Sequence, residues 1–83
     1  MTFGYTIADA ADRNAFFDAS AFIRDKLQFK PVGEPFEDVD GSLYQDFAND
    51  NVKISLESNV DIDYVAIKSN KELPIKAIRK WQQ

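Results

Sequence analysis

Between positions 52 and 57 the chain alternates without a break: Val52, Ile54 and Leu56 are apolar, and Lys53, Ser55 and Glu57 are polar. A strand points successive side chains to opposite faces, so this segment needs one dry side and one side in water. That requirement selects a mainly antiparallel sheet covered on a single face, because a parallel sheet with helices on both faces calls for continuously apolar strands. The same period of two runs over 2–8, where Phe3, Tyr5 and Ile7 share a face and Thr2, Gly4 and Thr6 share the other.

A helix is predicted over 10–28, with Asp9 offering an N-cap oxygen and Asp12 an anion in the first turn. At 100° per residue, Phe16, Ala19, Ser20, Ile23 and Leu27 form one stripe flanked by Phe17 and Phe22, opposite Asn14, Asp18, Ala21, Asp25 and Gln28. Pro31, Gly33 and Pro35 then interrupt regular structure over 29–35. Asp40-Gly41 reads as a two-residue hairpin turn joining a short strand at 36–39 to a longer one at 42–48. Asn49-Asp50-Asn51 makes a second turn and 58–61 a third, before a strand at 62–68 with Val65 and Ile67 inward and Tyr64 and Lys68 outward. Pro74 fits the first turn of a second helix at 74–82, which would bury Ile75, Ile78 and Trp81.

The expected fold is therefore a single α+β domain spanning 1–83, ordered β-α-β-β-β-α, with two helices packed on one face of a mainly antiparallel sheet. The other face would display Tyr44, Asp46, Lys53, Ser55, Glu57 and Tyr64, along with Thr2 and Thr6.

Composition limits the chemistry. Of the 83 residues none is Cys or His, which removes thiolate metal sites, cysteine nucleophiles and the commonest neutral-pH proton carrier. Gly4, Gly33 and Gly41 are isolated, so no phosphate-cradling loop forms. Asp38 and Asp40 precede Gly41 at a spacing too short for a calcium loop, and Asp61 with Asp63 would need an enclosing cleft that this length rarely supplies. The chain reads as no enzyme, with no cofactor and no metal. Its first residues lack a basic then apolar leader, and no run approaches a membrane span, so cytoplasmic residence is the expectation.

Charge is unevenly distributed. Positions 34–63 hold nine acids against Lys53 alone, a charge of −8, and 68–83 hold five cations against Glu72, a charge of +4. The leading expectation is a protein-binding module, akin in character to small acidic inhibitors, antitoxins, immunity proteins or regulators. Tyr44, Asp46, Glu57 and Tyr64 would meet another, basic protein. Acidic turns also serve solubility and keep sheet edges apart. The alternative is a nucleic-acid-binding accessory domain using Lys76, Arg79 and Lys80, although basic residues at a helix C-terminus are also favoured by the helix dipole alone. Opposite charge at the two ends allows a homodimer as well.

Overall fold

The computed structural model describes residues 2–73. Its elements run β1 (Phe3–Ala8), α1 (Arg13–Asp25), β2 (Lys30–Glu37), β3 (Leu43–Asn49), β4 (Val52–Asn59) and β5 (Tyr64–Ser69). The strands form one antiparallel sheet ordered β1-β5-β4-β3-β2, with α1 against β4, β3 and β1 on one face. The described residues make a compact α+β arrangement with one helix. The second helix expected at 74–82, and with it Lys76, Arg79 and Lys80, lies outside the described residues. Among the described residues no helix is long and apolar enough to cross a membrane.

The alternation at 52–57 lands as the pleat requires. Ile54 and Leu56 are buried under α1 with Leu43 and Phe47 of β3, Val65 and Ile67 of β5, and Ile7 of β1. The helix contributes Phe16, Ala19 and Ile23, and Phe29 and Leu73 close the ends of the core. At roughly 25 cal/mol per Å² of apolar surface removed from water, this layer is the main stabilising term of the fold. The tail after β5 is tied back: Asn70 accepts from the Lys53 amide at 2.8 Å, and the Leu73 amide donates to the Tyr5 hydroxyl at 2.8 Å.

Several expected boundaries move, each for a physical reason. The helix begins at Arg13 instead of position 10, and its N-cap is Asp12, whose carboxylate accepts from the Ala15 amide at 3.1 Å. The two residues before it are held out of the helix by side chains from beyond it: Ala11 donates to Asp63 at 2.9 Å and Asp12, whose backbone is extended, to the Ser58 hydroxyl at 3.1 Å. The helix ends at Asp25 and not Gln28, since Gln28 turns to a left-handed φ of 61° and sends the Phe29 amide back to the Ile23 carbonyl.

The largest correction is β2, an eight-residue strand running through the two prolines that were expected to break it. An edge strand tolerates proline because one side of its backbone has no neighbour to bond. The register shifts between Val32 and Phe36, where Gly33 takes a φ of 75° that other residues rarely adopt. The buried Gln45 side chain repairs the break by donating from Nε2 to the Val32 and Gly33 carbonyls, both at 3.3 Å.

The turns shift too. Asp40-Gly41 belongs to a longer β2–β3 loop over 38–42: Asp38 donates to the Ser42 carbonyl at 2.8 Å, Gly41 donates to the Asp38 carbonyl at 3.0 Å, and Gly41 has a φ of 93°. The third turn occupies positions 60–63, so β4 runs to Asn59 and β5 starts at Tyr64. Asn59 sets this turn by accepting from the Asp61 and Ile62 amides at 2.9 and 3.1 Å.

Candidate functional site

Opposite α1 the sheet presents a face that no described helix covers. Strand pairing places Thr6, Ala66, Glu57, Tyr44 and Phe36 in one row across all five strands. A second row holds Gly4, Lys68, Ser55, Asp46 and Val32. Tyr64, at the start of β5, reaches the first row through its hydroxyl, which donates to Glu57 Oε1 at 2.7 Å. The fold thus gathers Tyr44, Asp46, Glu57 and Tyr64 on one side of the sheet, with Tyr44 and Tyr64 half-buried and Asp46 exposed.

The middle of this face is bonded to itself. The Lys68 ammonium lies 3.4 Å from the same Glu57 oxygen that Tyr64 uses, and the Glu57 side chain is only 16 % exposed. The hydrogen bond to Glu57, reinforced by partial burial and the carboxylate charge, pushes the Tyr64 phenol above the usual tyrosine range. The Glu57 charge likewise raises the Lys68 ammonium. Asp46 accepts from the Ser55 hydroxyl at 3.0 Å. Both carboxylates are therefore engaged within the sheet.

Towards β2 the character changes. Phe36 is 58 % and Val32 56 % exposed, and the Phe36 ring stands 6.1 Å from that of Tyr44. Neither residue was singled out from sequence, because the Pro31-Gly33-Pro35 spacing hid the strand that aligns them. The usable signal was an apolar residue on either side of Gly33 that nothing in the helix stripe required. Of the nine acids at 34–63, Asp38, Asp40, Asp61 and Asp63 lie in the β2–β3 and β4–β5 loops and Asp50 in the β3–β4 turn. Among the described residues no three acidic side chains converge on a point that could hold a metal ion.

This side of the sheet is a mixed surface. It offers an aromatic and aliphatic strip beside a bonded polar patch, the mixture found where proteins meet other proteins. Comparison with protein-family models, with curated proteins and with solved structures gives no match to this chain.

Proposed function

We propose that this chain is a non-catalytic protein-binding module of the cytoplasm, meeting its partner with the sheet face that no described helix covers and the acidic turns beside it. The observation that carries the reading is the joint exposure of Val32 and Phe36 next to Tyr44 on that face. Large apolar side chains held in water by a rigid strand lose little conformational freedom on binding, which favours them as anchors. The bonded Tyr64–Glu57–Lys68 group on the face supports a structural role over a catalytic one. Tyr64 and Lys68 are both shifted upward, so at neutral pH the phenol keeps its proton and the ammonium its charge, and neither is poised for proton transfer.

Affinity capture from the native host tests the proposal by comparing the wild-type chain with Phe36→Ala/Tyr44→Ala and with Tyr44→Ala/Tyr64→Ala. The expected result is loss of a stoichiometric partner from the first variant and depletion from the second, with circular dichroism unchanged. Identical partner lists for all three proteins would overturn it.

A further inference from the structure

At the end of the sheet where α1 begins, two neighbouring loops hold aliphatic side chains out in water. Val39 in the β2–β3 loop is fully exposed, and Ile62 and Val60 in the β4–β5 loop are 63 % and 38 % exposed. The loops are fixed to each other: the Val60 amide donates to the Ser42 hydroxyl at 3.1 Å, and a Cβ placed on Gly41 would sit 4.0 Å from Val60 Cγ1. Each loop is also braced internally, the first by the Asp40 carboxylate accepting from the Ser42 amide at 2.8 Å, the second by the Asn59 bonds described above. The two loops are therefore neighbours, and burying their aliphatic side chains against a partner would release apolar surface from water.

The chemistry around them selects the occupant. Asp38, Asp40, Asp61 and Asp63 belong to the same two loops, and Glu37 at the end of β2 is paired with Arg13 at 3.1 Å. We propose that the two loops form a docking tip for a protein surface that surrounds an apolar depression with lysine or arginine, the aliphatic side chains entering the depression. The carboxylates of Asp38, Asp40 and Asp63 accept from the amides of Val39, Ser42 and Ala11, so they meet the cationic rim through the negative charge of the loops. Charge complementarity favours this occupant. A second copy would bring the same aspartates into opposition, and nucleic acid or an anionic lipid surface would be repelled by them. The inference rests on the protein-binding reading above and names the part of the molecule that enters the partner.

The test uses two defined probes against the isotope-labelled chain: an amphipathic helical peptide of lysine and leucine, and an all-lysine peptide of equal charge. Amide shifts are followed for the wild type, for Val39→Ser/Val60→Ser/Ile62→Ser, and for Tyr44→Ala/Tyr64→Ala. The expected result is tighter binding of the amphipathic peptide, shifts centred on the two loops, and a loss of about tenfold or more in the triple serine variant. The triple variant keeps every charge, so its affinity for the all-lysine peptide should not change. Equal binding of the two peptides, or an unaffected triple variant, would overturn the tip. Loss confined to the tyrosine variant, with shifts across the open face, would also overturn the tip while leaving the sheet-face reading in place. Failure of both variants to alter the host partner list would remove both readings.

Discussion

Strands β2 and β3 are two arms of one hairpin, yet they live in different environments. β3 lies between two neighbours and sends Leu43, Gln45 and Phe47 into the core, whereas β2 sits at the edge with all eight of its residues exposed. Phe47 is 1 % exposed and Phe36 58 %, on adjacent strands of the same sheet. The contrast separates what the fold requires from what it merely displays. Phe47→Ala should cost about 3–5 kcal/mol, the range for removing a buried aromatic ring. Phe36→Ala should stay within about 0.5 kcal/mol, as exposed substitutions do. Urea denaturation of both variants checks this, and a Phe36→Ala penalty comparable with that of Phe47→Ala would place β2 in the core and end its candidacy as a contact strand.

The two arms communicate through one side chain. Gln45 is 4 % exposed, and its Nε2 donates to the Val32 and Gly33 carbonyls as well as to the Asp46 carbonyl at 2.9 Å. Gln45→Ala removes those donors and leaves a hole at the register shift, with an expected cost of about 1–3 kcal/mol. Hydrogen exchange gives the sharper measurement, because the β2 amides should lose protection ahead of those in β4 and β5. Uniform loss across the sheet would mean that β2 and the core unfold as one unit.

The same contrast explains what could be read from sequence. Phe3, Tyr5, Ile7, Val52, Ile54 and Leu56 announce their strands because one face is dry and the other wet, so the period of two is written in the residues. Phe16, Ala19 and Ile23 announce the helix face for the same reason. An edge strand with no dry face carries no such period, and Pro31, Gly33 and Pro35 read as a break when they are tolerated by an absent neighbour. The helix start was hidden because the amides of Ala11 and Asp12 bond to Asp63 and Ser58, both more than forty positions away. Of the candidate site, the grouping of Tyr44, Asp46, Glu57 and Tyr64 on one side followed from alternation. The bonding of Glu57 to both Tyr64 and Lys68 depends on a diagonal across two strands, which alternation leaves open.

Gly33 probes the edge itself. No atom lies within 4 Å of a Cβ added there, so Gly33→Ala meets no clash and its effect is purely the left-handed backbone at φ 75°. A cost of about 1–2 kcal/mol is expected, with the disturbance confined to β2. If the loss instead matches that of Gln45→Ala in every strand, the register shift would be a part of the folding core and not a local device of the edge.

The smallest effect tests the division within the open face, between its bonded middle and its apolar β2 margin. Tyr64→Phe removes the hydroxyl that donates to Glu57 and leaves the ring, with an expected cost of about 0.5–1.5 kcal/mol near neutral pH. Its pH dependence is the better discriminant. In the folded chain the Tyr64 phenol is held above its ordinary range, chiefly by the Glu57 hydrogen bond, so the native state binds this proton more tightly than the unfolded chain does. The stabilisation is complete below the ordinary tyrosine value of about 10 and disappears as pH rises through the raised one. Lys68, raised by the same carboxylate, contributes with the same sign and weakens in the same alkaline direction, its share reduced by solvent screening of an ammonium that is 54 % exposed. Wild-type stability should therefore fall as pH rises above about 10, and Tyr64→Phe should fall less steeply because Lys68 alone of this pair remains to titrate against Glu57. Parallel pH profiles for the two proteins would mean that Glu57 draws nothing from the phenol and that the middle of the face is as free for a partner as its margin.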